Sequence, residues 1–300
     1  MFTLKRVLLV WIVWYLGAIS ITQAATDCNE VTEIYPAECE SLLELYHSTD
    51  GANWKNNEGW NVTNTPCSWK GITCDYGVTW IELSSNQLTG AIPNFNALPN
   101  LQGLELEENQ LMGTIPNFNA LPNLQWLDLD ENQLTGTIPN FNALPNLQWL
   151  YLQSNQLTGT IPNFNALPKL EELYLGENKL TGTIPNFNAL PNLQWLYLRS
   201  NQLTGTIPNF NASPNLQQLY LYSNQLTGMI PVYSNTLINL TVLDIRNNPL
   251  CKKADYDYAR WPIKQSRWND ETTWQAQLET FPICEAPTTG DETDDEIFTI

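Results

Sequence analysis

The sequence predicts a repeat solenoid with a parallel β-sheet along one side. Asparagines recur every 23 residues, and once after 24, at Asn86, Asn109, Asn132, Asn155, Asn178, Asn201, Asn224 and Asn248. Before each asparagine, apolar residues alternate with polar or aromatic ones, as Leu127 and Leu129 do before Asn132. This alternation is typical of a strand with one buried face. Because one unit cannot bury that face alone, neighbouring units must stack.

One complete unit, from Leu124 to Pro145, reads LQWLDLDENQLTGTIPNFNALP. It resembles the plant-type leucine-rich repeat, LxxLxLxxNxLxGxIP, although most units are one residue shorter than the usual length of about 24. The resemblance covers roughly Cys39 to Cys251. It implies a right-handed α/β coil with a parallel concave sheet, an irregular or 3-10 convex side, and disulfide-bonded caps.

Each recurrent residue type within a unit has a physical role. The asparagine amide both donates and accepts, so stacked copies can satisfy backbone groups that each turn would otherwise bury unpaired. Gly136 permits a tight bend, and Pro139 prevents a helix from continuing through the turn. A recurrent phenylalanine predicts an internal column of stacked rings, formed by Phe95, Phe118, Phe141, Phe164, Phe187 and Phe210.

The first 24 residues are predicted to be a signal peptide. Lys5 and Arg6 precede an apolar run from Val7 to Ile21, and small residues follow up to Ala24. The run is short for a membrane span, which needs about 20 apolar residues, although an uncleaved anchor is the alternative. No later stretch is apolar enough to cross a bilayer. We expect an exported chain that is secreted or held at the cell surface, or periplasmic in a bacterium.

The rest of the chain is expected to contain a capped array and a tail. A solenoid needs caps to cover its terminal faces. The last segment is rich in threonine and acidic residues, with too little apolar content to fold. The predicted segments are an N-terminal cap over 25–77, eight repeats over 78–250, a C-terminal cap over 251–284, and a disordered tail over 285–300.

Six cysteines in an exported chain predict disulfides. Fifteen pairings are possible, but pairing within each end is geometrically simplest: Cys28 with Cys39, Cys67 with Cys74, and Cys251 with Cys284. Zinc is the alternative, disfavoured by a single histidine and the lack of a paired CxxC motif.

The N-terminal cap has a recognisable sequence. Apolar spacing predicts a short helix over Glu38–Tyr46. The motifs GANW, GW and PCxWxGITC follow it, and this arrangement is similar to the N-terminal cap of plant-type leucine-rich-repeat proteins. The resemblance implies a Cys67–Cys74 bridge that holds Trp69 against the first repeat.

Composition argues against several function classes. The 300-residue chain has 13 basic and 31 acidic residues, a formal net charge of −18, so its surface should repel nucleic-acid phosphates. The sequence contains no phosphate-binding loop, nucleophile elbow, HExxH or dinucleotide motif, and His47 is the single histidine. Neighbouring carboxylates such as Asp128 and Asp130 are expected to face water with ordinary pKa values. We therefore predict a protein without enzymatic activity, cofactor or metal.

Residues between the strand leucines vary from repeat to repeat and should point out of the concave face. They form an aromatic ladder of Trp126, Trp149, Tyr151, Tyr174, Trp195, Tyr197, Tyr220 and Tyr222. Closer to the N-terminus they form an acidic patch of Glu82, Glu105, Glu107, Glu108, Asp128, Asp130 and Glu131. Exposed aromatics on a rigid sheet are typical recognition anchors, although neighbouring rings can merely stack and stabilise the sheet. The acidic patch is interpreted as a solvated face, with a cationic partner or Ca²⁺ as alternatives.

Three functions from different classes fit this surface. The resemblance favours a protein or peptide binder, because plant-type repeats serve as receptor ectodomains and as inhibitors of wall-degrading enzymes. A glycan-binding surface is the second, since planar rings can stack on sugars. A structural or ice-contacting surface is the third, suggested by threonines at strand spacing: Thr135, Thr137, Thr158, Thr160, Thr181, Thr183, Thr204 and Thr206.

Overall fold

The computed structural model describes residues 25–187, 189–210, 213–231, 237–254, 256–258, 263 and 274–284. Its α-helices are α1 (Pro36–Ser48) and α2 (Trp274–Glu279), and short 3-10 helices span Gly51–Asn53 and Pro66–Ser68. The strands are, in chain order, β1 (Ile72–Cys74), β2 (Val78–Glu82), β3 (Thr89–Gly90), β4 (Gly103–Glu105), β5 (Gln110–Thr114), β6 (Trp126–Asp128), β7 (Gln133–Thr135), β8 (Trp149–Tyr151), β9 (Thr158–Thr160), β10 (Glu172–Tyr174), β11 (Lys179–Thr183), β12 (Trp195–Tyr197), β13 (Gln202–Thr204), β14 (Gln218–Tyr220), β15 (Gly228–Met229), β16 (Val242–Asp244) and β17 (Leu250–Cys251).

A nine-stranded sheet forms the concave side, in the order β1-β2-β4-β6-β8-β10-β12-β14-β16. The eight strands from β2 onward pair in parallel, with each residue usually opposite the one 23 positions later, as Leu127 is opposite Leu150. This confirms the predicted solenoid and its parallel concave sheet. The additional strand, β1, pairs antiparallel with β2 and was not predicted. It provides the cap's contribution to the sheet.

The asparagines of the 23-residue period join each repeat to its neighbour. The Oδ1 atom of Asn155 accepts a hydrogen bond from the Leu134 amide at 2.9 Å. Its Nδ2 atom donates to the carbonyls of Leu129 at 2.9 Å, Leu152 at 3.4 Å and Gln153 at 3.2 Å. One side chain therefore satisfies backbone groups of two successive turns, as predicted. All eight asparagines of the column are buried.

A second asparagine column was not predicted. It precedes each concave strand, where Asn123 Nδ2 donates to the Pro99 carbonyl at 3.0 Å and Asn146 Nδ2 donates to the Pro122 carbonyl at 2.9 Å. At the corresponding position of one repeat, Lys169 replaces asparagine and donates through Nζ to Asn146 Oδ1 at 2.8 Å. The proline carbonyls of one turn thereby accept hydrogen bonds from asparagines of the next turn.

The phenylalanine column is confirmed, with an unexpected backbone conformation. Phe118 and Phe141 are 1% exposed, and their ring centroids lie 6.4 Å apart in a stacked arrangement. Phe141 has a φ of 51°, in the left-handed region that bulky residues rarely adopt. That conformation costs about 1–2 kcal/mol. Full burial of the ring, which contributes about 1.5–3 kcal/mol, offsets the cost.

The segment after each asparagine of the 23-residue period forms a second set of short strands. They make the sheets β3-β5-β7, β9-β11-β13 and β15-β17. In the middle sheet, Thr181 is opposite Thr160 and Thr204 is opposite Thr183. Gly159, with a φ of +77°, leaves room for the preceding turn, since a Cβ there would lie 2.9 Å from Thr137 Cγ2. Between strands, the described convex segments are turns and irregular structure rather than helix.

Disulfides close both ends of the array. Cys28 is bonded to Cys39, Cys67 to Cys74 and Cys251 to Cys284, the pairs expected from their positions. No cysteine is left free, which removes the zinc alternative.

The N-terminal cap packs indoles against the first repeat. Helix α1 extends two residues beyond the predicted span at each end. Trp60 and Trp69 are 1% and 2% exposed, and their ring centroids lie 4.9 Å apart. The buried Glu38 carboxylate accepts hydrogen bonds from the Tyr35 amide at 3.0 Å and the Val78 amide at 3.1 Å. Glu38 thus both caps α1 and joins it to β2.

At the other end, one glutamine covers the edge of the concave sheet. Gln277 in α2 is 1% exposed. Its Oε1 atom accepts from the Ile245 amide at 2.8 Å, and its Nε2 atom donates to the Leu243 carbonyl at 3.2 Å. These bonds replace those that another strand would make beside β16.

The predicted signal peptide (1–24) and acidic tail (285–300) lie outside the described residues. Within the part that is described, neither α-helix is long and apolar enough to cross a membrane.

Replacing Asn155 by alanine should lower the free energy of unfolding by about 3 kcal/mol, because it leaves buried backbone groups of two turns without partners. Denaturant unfolding measures the change. Asn142→Ala is the matched control, since Asn142 is an exposed residue on the convex side and its loss should cost less than about 0.5 kcal/mol. Equal losses for the two variants would contradict the role assigned to the column of buried asparagines.

Candidate ligand-binding surface

The aromatic ladder lies on the concave, solvent-facing side of the large sheet. Strand alternation buries the leucines and directs the residues between them outward. Seven of the eight predicted ladder residues are partly exposed. Tyr220 is the exception, at 4% exposed, so its predicted exposure is wrong. In the next strand Val242 and Asp244 are also buried, so this end of the face is covered.

The ladder rings contact one another from strand to strand. The Trp126 and Trp149 centroids are 5.1 Å apart, and Trp126 meets Tyr151 edge to face at 5.3 Å. Tyr151 lies 4.6 Å from Tyr174. Tyr174 and Tyr197 are parallel, with centroids 4.2 Å apart and an angle of 3° between the planes. The stacking alternative considered from the sequence is therefore present, and the rings form a continuous and rigid wall.

A cavity of about 560 Å³ opens along the C-terminal part of this wall. It is lined by Asp130, Gln153, Tyr174, Trp195, Tyr197, Arg199, Gln218, Tyr220 and Tyr222. The structure thus gathers the later ladder residues around one space, while Trp126, Trp149 and Tyr151 lie outside its lining.

Three polar residues of the lining, Gln153, Arg199 and Gln218, were not predicted as site residues. The sequence could have identified them, because all three occupy positions of the repeat that point out of the concave face. Arg199 donates through Nη1 to Tyr222 Oη at 3.1 Å and forms an ion pair with Glu177. Gln218 accepts from the Tyr197 hydroxyl at 2.6 Å. The cavity therefore combines ring edges with fixed donors and acceptors.

Three tyrosines of the ladder, Tyr151, Tyr174 and Tyr197, remain protonated across the physiological range. Burial raises the pKa of Tyr151, and its hydroxyl donates to Glu172 Oε2 at 2.6 Å, which raises it further. Burial likewise raises the pKa of Tyr174 and of Tyr197. Burial also raises the pKa of Glu172, although hydrogen bonds from Tyr151 and Tyr174 oppose that shift. These hydroxyls serve as neutral hydrogen-bonding groups.

The expectation of ordinary pKa values in the acidic patch is wrong. Burial, followed by the charges of neighbouring carboxylates, raises the pKa of Asp128 to about 7 and that of Asp130 to about 8. Burial also raises the pKa of Glu105, against a hydrogen bond from Trp80 Nε1 at 2.7 Å. The sequence did not reveal that the side chains of Asp128 and Asp130 are largely buried.

Backbone amides hold the aspartate pair in place. The Asp130 amide donates to Asp128 Oδ1 at 3.0 Å, and the Gln153 amide donates to Asp130 Oδ1. Two further polar atoms nearby, Glu107 Oε2 and Trp126 Nε1, are buried and make no hydrogen bond. Among the described residues, no group of three or more His, Cys, Asp and Glu side chains is arranged to hold a metal ion.

At the N-terminal end, an aromatic residue of the outward column folds onto the sheet. Gly103 occupies the outward position next to Trp80, and a Cβ at Gly103 would lie 2.2 Å from the Trp80 ring. The missing side chain lets the indole lie across β4 and reach Glu105. Trp80 is therefore separate from the aromatic ladder.

Family models match most of the repeat region and the cap. Residues 36–75 match the leucine rich repeat N-terminal domain, residues 116–157 a leucine rich repeat model, and residues 145–189 and 191–229 a model of two leucine rich repeat copies. Over 69 residues the chain is 37% identical to pollen receptor-like kinase 2 of Arabidopsis thaliana, a match that covers 23% of this chain and 10% of the kinase.

Solved structures give longer matches. The Arabidopsis receptor kinase HAESA, in complex with the peptide hormone IDA and the co-receptor SERK1, matches with a TM-score of 0.68 and 31% identity, covering 76% of this chain and 40% of that one. A plant ice-binding protein matches with a TM-score of 0.64 and 26% identity, covering 78% of this chain and 86% of that one. These matches thus cover well under half of the HAESA chain and of pollen receptor-like kinase 2.

The aspartate pair should make the protein less stable as the pH rises. Unfolded aspartates ionise near their usual value of 3.8, whereas the folded pair ionises near 7 and 8. The stability from proton retention is fully present below pH 3.8 and lost as the pH rises to about 8. Asp130→Asn should therefore raise the free energy of unfolding near pH 8.5 by on the order of 1–2 kcal/mol, allowing for partial solvent screening, and change it little near pH 4.

Denaturant unfolding at the two pH values measures this difference. Glu44→Gln, on the exposed face of α1, changes the net charge equally and is the control. A gain in Asp130→Asn that is the same at both pH values would contradict the assignment.

Proposed function

This chain is a leucine-rich-repeat protein of the plant type with an N-terminal cap domain, and we propose that it is an extracellular or cell-surface binding module without catalytic activity. It recognises a protein or peptide segment in the concave cavity beside the aromatic ladder. The observation that carries the proposal is that this cavity lies on the face where the repeats differ. Convex positions, in contrast, repeat Asn-Phe-Asn-Ala six times.

The lining suits an extended peptide. Its aromatic edges offer apolar contact, and Gln153, Arg199 and Gln218 offer donors and acceptors for backbone amides. Rigid aromatic anchors bury much area at a small cost in side-chain entropy. The rings are already fixed by stacking, so little ordering is needed when a ligand binds.

The glycan alternative is less well supported by the ring geometry. Sugar stacking needs an open ring face, whereas Tyr174 and Tyr197 cover each other's faces at 4.2 Å. The face that each of these two rings turns toward the other is therefore closed to a sugar.

Two further observations support a location outside the cytosol and a peptide ligand. Three disulfides indicate an oxidising compartment. The matched HAESA structure contains a peptide hormone bound to that receptor.

A random-peptide display library selected against the purified chain tests the proposal. Selected peptides should lose about 30-fold or more in affinity, about 2 kcal/mol, in a Tyr174→Ala/Trp195→Ala variant. The matched control is Tyr35→Ala/Tyr76→Ala, which removes two aromatics that are 73% and 97% exposed on the N-terminal cap. Circular dichroism establishes that both variants fold. Equal binding by both variants, or failure to select any peptide, would contradict the proposal.

A second candidate function rests on the threonine face. The short strands after each asparagine hold exposed threonines in register, with Thr158 Oγ1 and Thr181 Oγ1 donating to the glycine carbonyls of the preceding turn. Strand spacing makes this array regular at about 4.8 Å. The match to a plant ice-binding protein, over 86% of that chain, favours contact with ice as the second candidate function.

Thermal hysteresis measurements separate this candidate from the first. If the face contacts ice, the chain should show hysteresis, and Thr160→Lys/Thr183→Lys should abolish it because the long cation interrupts the array. Asn142→Lys/Asn165→Lys, on exposed convex positions, should leave it unchanged. Absence of hysteresis in the unmodified chain would remove the candidate.

A further inference from the structure

A glycine interrupts a column of outward side chains that runs along the cavity. The position two residues before each buried asparagine is occupied, in five successive repeats, by Asp130, Gln153, Gly176, Arg199 and Tyr222. All of these except the glycine line the cavity. Gly176 does not adopt a positive φ, so the backbone there does not require glycine. What glycine provides at this position is the space that a side chain would fill.

Two side chains from the repeats on either side converge on that space. A Cβ at Gly176 would lie 3.0 Å from Arg199 Cγ and 3.2 Å from Gln153 Oε1. Gln153 belongs to the repeat before Gly176 and Arg199 to the repeat after it, so their backbones are two strand spacings, or about 10 Å, apart. The glycine therefore lets an arginine and an amide side chain approach each other above a strand that would otherwise separate them.

The guanidinium of Arg199 is held from two sides, and its charge is balanced. Its Nη1 atom donates to the Tyr222 hydroxyl at 3.1 Å and forms an ion pair with Glu177. The Ser154 hydroxyl donates to Glu177 Oε2 at 2.8 Å. This hydrogen bond and the charge of Arg199 lower the pKa of Glu177, so that carboxylate is ionised at neutral pH. The space above Gly176 therefore lies beside a compensated ion pair.

Both converging side chains have hydrogen-bonding groups to spare. Within the described ranges, Nε and Nη2 of Arg199 and the side-chain amide of Gln153 make no hydrogen bond. Arginine only donates, whereas a glutamine side chain both donates and accepts. A ligand group that bonds to both needs an acceptor and a donor. A carboxamide has the two, whereas a carboxylate has no donor and would be repelled by Glu177, and an ammonium group has no acceptor and would be repelled by Arg199.

Building on the proposed function, we propose that Gln153, Gly176 and Arg199 form a subsite for a side-chain carboxamide, that of an asparagine or glutamine in the bound peptide. Arg199 donates to the carboxamide oxygen, and Gln153 accepts from its nitrogen. Gly176 is a positioning residue, because it acts by letting the other two side chains converge. The rest of the peptide lies along the aromatic part of the lining, beside Tyr174 and Trp195.

Peptides selected from a random display library against the full chain test the subsite. They should be enriched in asparagine or glutamine at one position. Replacing that residue by its acid, aspartate or glutamate, keeps the shape but removes the donor and adds a charge. The affinity of the acid form, measured at neutral pH, should be lower by about tenfold or more.

Variants of the protein test the role of the glycine. Gly176→Val fills the space between Gln153 and Arg199, so the amide form should lose about tenfold or more in affinity and the two forms should bind about equally. Gln153→Ala should have the same effect on this discrimination, and it applies even if Gly176→Val does not fold. Gly103→Ala is the matched control, because the neighbour that it displaces is Trp80, outside the cavity lining. It should change neither the affinity nor the discrimination, and circular dichroism establishes that each variant folds.

The outcomes distinguish this inference from the function on which it rests. Selected peptides whose affinity depends on Tyr174 and Trp195, but which show no enrichment in asparagine or glutamine, would overturn the inference and leave the peptide-binding function intact. Equal affinity of the amide and acid forms for the unmodified chain would do the same, as would discrimination that survives both Gly176→Val and Gln153→Ala. Failure to select any peptide would overturn both.

Discussion

The hydrogen bonds of the buried asparagines that recur every 23 residues are the constraint on which the rest of the structure depends. Each amide bonds backbone groups in its own turn and in the turn before it, so neighbouring repeats are held at a fixed offset. That offset brings every leucine, phenylalanine and outward residue opposite its counterpart 23 positions later. The core and the aromatic ladder are both consequences of this single register.

The sequence predicted those features that every repeat contains. Period and alternation were enough to place the strands, the asparagine column, the phenylalanine column and the outward residues, and the positions of the cysteines indicated the bridges. Features that depend on contacts between different repeats were not accessible. The left-handed backbone at Phe141, the lysine substitution in the second asparagine column and the raised pKa values of Asp128 and Asp130 all depend on what lies in the adjacent turn.

Stacking and recognition are compatible properties of the aromatic ladder. Rings that pack face to face across strands stabilise the sheet, and the same packing fixes the edges and hydroxyls that border the cavity. Tyr220 illustrates the limit of reasoning from one column. It follows the same pattern as Tyr197, but its position near the C-terminal end of the array leaves it buried.

Loss of the C-terminal cap would expose the edge of the concave sheet that Gln277 covers. Its amide takes the place of a peptide group beside the last concave strand, so the sheet stops there. Without it, the Ile245 amide and the Leu243 carbonyl would be left unpaired at the edge of the sheet, and an open strand edge is a template for pairing with another chain. The C-terminal cap therefore also protects the array from edge-to-edge pairing, and Gln277 contributes two of the hydrogen bonds that do so.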